Sequence, residues 1–491
     1  MIVLPFVFLC VFAVRGELYS ALAGMETLLD TQRVIIHTMD EHIQSMERRL
    51  GTLKKCGRVG ALKACIKFPI EQKQNFSELT TFHSVVLPDE NDLDGAAKAL
   101  LRVQQTYGLK TSELAEGKIF GVTRVLSLTE GDCFELGRQA YHNGFYESAL
   151  SWLELAKNMS LANAEDANSM PEIQRYLKAA EMEKDRSDFM VFASNLFQLG
   201  LMSMNSLEDP NHTRTMTDVA LSKNIFMGQA NFFDEATYKQ LCQSSMRDVA
   251  ASPSSVLRCR LVSSHPYLVL QPVKEEELWA EPKIALYHGV ISDREMDTMK
   301  EMARPQLKRA EVAEYTSSLG HRVSDTRVTK IAWLKRGDHP LIPELYARIE
   351  SVTGLSSVSA EPFQMANYGL GGHFHLHMDV LPDTETYFGP DMGNRVATWM
   401  YYMSDVNGGG ATVFPRLNIT VWPKKGSALF WHNINSNGIG NILTLHGACP
   451  VVSGSKWVTN VWYHERGQEF RLKCGKHPDS ALLQTNSFKL S

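Results

Sequence analysis

The sequence predicts an α+β multidomain chain, with a helical N-terminal half and a C-terminal antiparallel jelly-roll, or double-stranded β-helix. Three observations predict it. An apolar heptad runs from Leu18 to Leu53, and apolar faces at helical spacing recur between Thr129 and Ser206. From Phe363 to Trp462, short strand-like runs alternate with glycine and proline breaks, the pattern of a small antiparallel barrel.

With 491 residues, 44% of them apolar and 21% charged, the chain has an ordinary globular composition with room for two or three domains. Its net charge of -5 and the lack of any Lys/Arg cluster remove the electrostatic basis for nucleic-acid binding. Ile2 to Val14 is one apolar run closed by Arg15-Gly16. That is too short to cross a bilayer and has the length of a signal-peptide core, so residues 1–16 are expected to be a leader. No later stretch has the length of a transmembrane helix, and the mature chain is expected to be lumenal or secreted, with no membrane span.

The N-terminal region, 17–125, opens on the heptad. Leu18, Leu22, Met25, Leu29, Gln32, Ile36, Met39, Ile43, Met46, Leu50 and Leu53 follow alternating steps of four and three. Such a seam predicts a coiled coil, with Gln32 as the polar position that fixes register; a long helix packed on its own domain is the plainer alternative. An acidic break, Pro88 to Asp92, precedes a helical run from Ala96 to Tyr107.

A second unit, 126–240, starts at Thr129-Glu130-Gly131-Asp132, a helix-start signal. Cys133, Leu136, Ala140 and Tyr141 make one apolar face; Ala149, Leu150, Leu153 and Ala156 make the next. Two antiparallel helices of this size resemble a tetratricopeptide unit, and a second pair is expected from Met170 to Ser206. Stacked helical pairs expose a concave face that holds extended peptides. Residues 241–280 read as a linker, 281–476 as the barrel domain with its core at about 360–468, and 477–491 as a tail.

Of eight cysteines, Cys10 lies in the leader; the others are Cys56, Cys65, Cys133, Cys242, Cys259, Cys449 and Cys474, a usage that suits an oxidising compartment. Proximity alone suggests Cys56 with Cys65. Asn75, Asn158, Asn211 and Asn418 each open a glycosylation sequon.

The chemistry concentrates in the run Phe363 to Asp379. On an extended strand His377 and Asp379 share a face, and one imidazole beside one carboxylate is two-thirds of the facial triad that holds non-heme Fe(II). The third ligand must come from far along the chain, and His446 is the best candidate. His373 and His375 share the strand face with His377, so spacing alone does not choose among them. His432 and His464 read as structural or substrate-side, and His446 taken alone as a core histidine. Lys456, ten residues past His446, opens the aromatic strand run Lys456 to Trp462. A lysine there needs an anion, such as the distal carboxylate of a keto acid. Tyr368 reads equally as a pocket residue or as a buried strand tyrosine.

Residues Glu281 to Cys474 closely resemble the catalytic region of the collagen prolyl 4-hydroxylase alpha subunit. The resemblance is carried by Ile291-Ser292-Asp293 and by the runs Arg327 to Leu334, Gln364 to Gly372, Gly393 to Trp399, Tyr402 to Val406, Gly409 to Pro415, Trp422 to Gly426 and His464 to Phe470. Gly95 to Arg102 extends it into the N-terminal region. By position it implies His377, Asp379 and His446 as iron ligands, because the family lacks histidine at the other two places. It implies Lys456 as the partner of the 2-oxoglutarate C5 carboxylate, and disulfides joining Cys242 to Cys259 and Cys449 to Cys474, with Cys133 the odd, buried thiol.

The family's cofactors are Fe(II), 2-oxoglutarate and L-ascorbate, and its product is peptidyl 4-hydroxyproline in collagen-like or other proline-rich proteins. Its partner is protein disulfide isomerase in an α2β2 tetramer within the endoplasmic reticulum lumen. The C-terminal Ser487 to Ser491 holds no retention tetrapeptide, so such a partner would have to retain the chain. The N-terminal region of the family self-associates, and its helical domain grips proline-rich peptide through tyrosines. Tyr176 matches one of these, while Ala179 and Met182 stand where further tyrosines are expected, so the groove is either re-tuned or weak. The competing readings are a hydroxylase of another residue such as lysine, against which Lys456 argues because lysyl hydroxylases anchor the co-substrate with arginine, and a catalytically weak peptide-binding paralogue.

Overall fold

The computed structural model describes residues 90–119, 122–123, 127–162, 170–198, 232–244, 258–313, 321–323, 326–380, 391–473 and 475. The expected leader, the heptad, the Cys56 and Cys65 pair, the sequons at Asn75 and Asn211, Cys474 and the tail lie outside the described residues.

The helical part begins with α1 (Glu90–Tyr107) and α2 (Thr111–Ala115). A hairpin follows, α3 (Glu130–His142) and α4 (Tyr146–Ala162). Thr129 starts α3 as a capping box: its side chain accepts from the Asp132 amide while Asp132 accepts from the Thr129 amide, so two end donors of the helix are satisfied. The apolar faces of α3 and α4 meet in a core of Cys133, Leu136, Ala140, Ala149, Trp152, Leu153 and Ala156. The helices approach so closely that a β-carbon on Gly137 would lie 2.7 Å from the Leu153 side chain. Ile173 and Ala180 of α5 (Met170–Gln198) join the same core. The expected second pair is a single helix as far as Gln198, because no glycine interrupts it and its one proline sits in the first turn.

The barrel consists of two antiparallel sheets. Its strands are β1 (Cys259–Val262), β2 (Val273–Trp279), β3 (Ile284–His288), β4 (Lys308–Arg309), β5 (Arg327–Val328), β6 (Lys330–Leu334), β7 (Phe363–Tyr368), β8 (His373–His377), β9 (Arg395–Tyr402), β10 (Thr412–Phe414), β11 (Ile419–Val421), β12 (Ala428–His432), β13 (His446–Ala448) and β14 (Lys456–His464). The larger sheet runs β1-β2-β3-β12-β9-β14-β7-β6-β4, and the smaller β11-β10-β13-β8-β5.

Each sheet is covered on both faces. Between the sheets lie Ile284, Ala366, Met400, Tyr402, Phe414, Leu429, Trp431 and Val458. Helices α7 (Asp293–Ala303) and α8 (Leu341–Thr353) cover the outer face of the larger sheet with Met296, Met299, Leu345 and Ile349. The outer face of the smaller sheet is covered from the N-terminal half: Val103 and Tyr107 of α1, with Tyr238 and Leu241 of α6 (Phe232–Gln243), pack on Leu376, Val413, Leu445 and Val452. Burial on both faces explains the continuous apolar run of β9.

Two expectations are corrected here. Residues 259–279, read as linker, form strands β1 and β2 at one edge of the larger sheet. Glu275 of β2 is buried there and accepts from Tyr287, Lys283 and Arg260. The disulfides also differ: Cys242 is bonded to Cys449, Cα atoms 5.7 Å apart, which displaces both the expected Cys242–Cys259 and the expected Cys449–Cys474 pairs. Helix α6 brings Cys242 into the same apolar cluster as Cys449, while Cys259 is exposed on edge strand β1. Cys133 is a free, buried thiol, its pKa pushed up to about 11 by burial. Asn158 is exposed on α4, and Asn418 is exposed in a left-handed turn at φ 55°. Among the described residues no helix is long and apolar enough to cross a membrane.

Candidate metal centre

Strand β8 leaves β7 through the turn Gly369 to Gly372, where Gly371 holds φ +67° and packs so tightly on α1 that any side chain would strike Ala99. Arg102 of α1 donates to the Gly371 carbonyl at 2.9 Å. β8 then pairs with β13, Phe374 opposite Ala448 and His377 opposite His446, with a bulge between the two pairings. That bulge settles which histidine faces inward. Phe374 and His377 both line the inter-sheet cleft, although three residues apart, and the strict alternation expected of His373, His375 and His377 is broken. His375 faces α6 instead, 3.2 Å from Glu235, and His373 is buried outside the cleft.

His377, Asp379 and His446 converge, with one donor atom from each lying within 4.8 Å of the other two. His377 Nε2 is 3.7 Å from Asp379 Oδ1, and His446 Nε2 is 3.8 Å from Oδ2. Each imidazole is oriented by the carbonyl two residues before it: His377 Nδ1 lies 2.8 Å from His375 O, and His446 Nδ1 2.8 Å from Thr444 O. Donation through Nδ1 leaves both Nε2 lone pairs aimed at the common point. Phe374 stacks on His377 at 3.6 Å, and Trp431 meets His446 edge-on at 4.8 Å. Burial, with His446 beside it, lowers the His377 pKa to about 3. Burial alone would raise the Asp379 pKa, but the two imidazoles, Arg395 and a Thr398 hydrogen bond together pull it below the usual carboxylate range. A neutral His377 and an ionised Asp379, the forms these shifts favour, are what a metal requires of them.

The cleft also holds Tyr368, Thr412, Lys456, Asn460 and Trp462. Tyr368 and Lys456 are cross-strand partners on β7 and β14, and the Lys456 ammonium lies 5.3 Å from the centre of the Tyr368 ring. Lys456 is 1% exposed. Burial lowers its pKa to about 7. Among the described residues no carboxylate lies within ion-pair distance of it. The residues therefore fit Fe(II) with a dicarboxylate: a facial two-histidine, one-carboxylate set, and a cation that lacks its anion in the same cleft.

His464 stands at the far end of β14, buried, 2.9 Å from both Gly393 O and Glu361. His432 closes β12 and is absent from the cleft lining. Tyr176 sits on α5 against the α3–α4 hairpin, among Phe134, Tyr141 and His142, whose Nε2 is 3.3 Å from its hydroxyl. Tyr141 in turn meets Tyr146.

Sequence reasoning passed over Thr398, Thr412 and Asn433. The available signal was a lone threonine within an apolar strand run, Thr398 in Val396 to Met403 and Thr412 in Ala411 to Phe414; Asn433 follows a strand and carried no such mark.

Two family models match the chain: the 2OG-Fe(II) oxygenase superfamily over residues 363–464, and the prolyl 4-hydroxylase alpha-subunit N-terminal region over residues 61–121. Prolyl 4-hydroxylase subunit alpha-1 of Gallus gallus is 36% identical over 512 residues, an alignment that covers 93% of this chain and 98% of that protein. The Homo sapiens subunit alpha-1 is 31% identical, covering 93% and 95%. Subunit alpha-2 of Caenorhabditis elegans is 32% identical, covering 94% of each.

Proposed function

The chain belongs to the prolyl 4-hydroxylase alpha-subunit family, and from that premise we infer that its barrel is a 2-oxoglutarate-dependent dioxygenase acting on C4 of peptidyl proline. The observation that carries the reading is Lys456, a buried lysine without a carboxylate partner among the described residues, sharing one cleft with His377, Asp379 and His446.

His377 and His446, through Nε2, and the Asp379 carboxylate hold the ferrous ion. An iron held there with 2-oxoglutarate and dioxygen would supply the oxidising chemistry that turns a proline C–H into C–OH, with 2-oxoglutarate converted to succinate and carbon dioxide. The protein orients and excludes. Lys456 fixes the distal carboxylate of the co-substrate as a point charge, with the Tyr368 ring beside it. Phe374, Met400, Trp431 and Val458 make the wall apolar and keep water from the reacting groups.

The peptide is gathered at a second place, the aromatic cluster of Tyr141 and Tyr146 on the helical hairpin with Tyr176 on α5, which together act as a tetratricopeptide-like module. Flat rings pack on pyrrolidine rings and hydroxyls bond the carbonyls that proline leaves free. The Leu18 to Leu53 heptad pairs two such chains as a coiled coil. Protein disulfide isomerase is the partner, in an α2β2 assembly retained in the endoplasmic reticulum lumen, and ascorbate keeps the iron ferrous. The homology, the heptad and the leader-like N-terminus support these assignments.

The test is the full-length chain, co-expressed with the isomerase and given (Pro-Pro-Gly)n, Fe(II), 2-oxoglutarate and ascorbate. Hydroxyproline matched by succinate is expected. Hydroxylysine on a lysine peptide would move the activity to another residue, and no product on either would leave a peptide-binding paralogue. Asp379→Ala or His446→Ala should abolish Fe(II) uptake and turnover while the chain still unfolds cooperatively. Retained Fe(II) affinity in either variant would remove that residue from the ligand set.

A further inference from the structure

We propose that Thr398 and Asn433 are positioning residues for the Asp379 carboxylate, acting through a one-way hydrogen-bond relay that leaves a single oxygen for the metal. The proposal rests on the metal centre described above. Thr398, on β9 and 1% exposed, donates its hydroxyl hydrogen to Asp379 Oδ2 at 2.6 Å. Asn433, also 1% exposed, donates from Nδ2 to the Thr398 oxygen at 2.9 Å.

The direction follows from the donor inventory. An ionised carboxylate only accepts, so Thr398 spends its one hydrogen on Asp379. Whatever faces Thr398 from the other side must then donate, and the amide of Asn433 does so. Asn433 is itself pinned by backbone on both sides: its N–H donates to Val396 O at 2.8 Å, and its carbonyl accepts from Asn441 N at 2.8 Å. With Oδ2 engaged, Oδ1 makes no hydrogen bond among the described residues and lies nearest His377 Nε2. The relay thus fixes the carboxylate rotamer and its single coordinating oxygen, the task that outer-shell partners perform at metal sites.

Co(II) titration of the full-length chain, followed by visible absorption, tests this apart from activity. Thr398→Val keeps the shape and loses the hydroxyl, and should weaken Co(II) binding about 10- to 100-fold and shift the absorption band of the bound ion. Thr398→Ser should restore both. Asn433→Leu should weaken binding by less than Thr398→Val, since the hydroxyl can still reach Asp379 once its outer partner is gone. Unchanged affinity and spectrum in Thr398→Val, failure of the serine to rescue, or the reverse order of the two losses would overturn the relay. A wild-type chain that takes up no Co(II) would overturn the metal centre itself, and the relay with it.

Discussion

Lys456 and His464 open and close the same strand, and the chain treats the two buried basic side chains in opposite ways. His464 is given Glu361, whose carboxyl burial would raise but which Arg395 and His464 together hold low. Lys456 is given no carboxylate among the described residues, and burial alone brings its pKa down to about 7. On the proposed reading, the distal carboxylate of 2-oxoglutarate would bind the ammonium form. Below about pH 7 that form is already present, so affinity should be nearly level there. Above it each binding event must first protonate the lysine, and the KM for 2-oxoglutarate should climb by up to about tenfold per pH unit. The climb ends when pH passes the raised pKa of the lysine in the complex. Lys456→Met should raise KM about 100-fold and flatten the profile, since no proton is then exchanged. A wild-type KM that stays constant from about pH 6 to about pH 9 would remove the lysine from co-substrate binding.

At the scale of elements, what the sequence made legible was whatever a strand or helix buries. Runs such as Val396 to Met403 and Ala428 to Trp431 could be placed because both sheet faces demand apolar residues, and the α3 start could be placed because its cap is local. The β8 bulge was not legible, because it arises from how β8 pairs with β13, about 70 residues away. Without it, three histidines share a face; with it, only His377 turns inward. Thr398 was missed for a related reason, since a buried threonine in a strand satisfies β-propensity whether or not it touches a carboxylate.

Disulfide pairing depends on which elements dock, and spacing along the chain says little about that. Docking of α6 brings Cys242 to Cys449 across a separation of 207 residues. Cys242→Ser should therefore cost about 2–5 kcal/mol in a denaturant melt, whereas Cys259→Ser, on an exposed edge strand, should cost almost nothing. Peptide mapping under non-reducing conditions that finds Cys242 joined to Cys259 would refute the pairing.

For the molecule as a whole, the catalytic domain does not begin where its sequence family begins. The outer face of the smaller sheet, which carries two of the three metal-site residues, is covered by α1 and α6. The cover is tied down at several points: Tyr107 to Pro450 O at 2.7 Å, Arg102 to Gly371 O, Arg416 forked onto Asp234 at 2.8 Å, and the Cys242–Cys449 bond. A chain starting at residue 258 would keep every strand of both sheets and all three ligands, yet expose Leu376, Ala411, Val413, Leu445 and Val452 together. An apolar patch of that kind on a monomer favours association over solubility. The shortened chain should aggregate or bind a hydrophobic dye, melt well below the full chain, and hold Co(II) more weakly, because β8 and β13 lose the layer that keeps them in register. A chain starting at residue 90 should regain all three properties. If the shorter chain is equally soluble, equally stable and equally metal-competent, the helical half is an appendage that delivers peptide, and the site is built by the barrel alone.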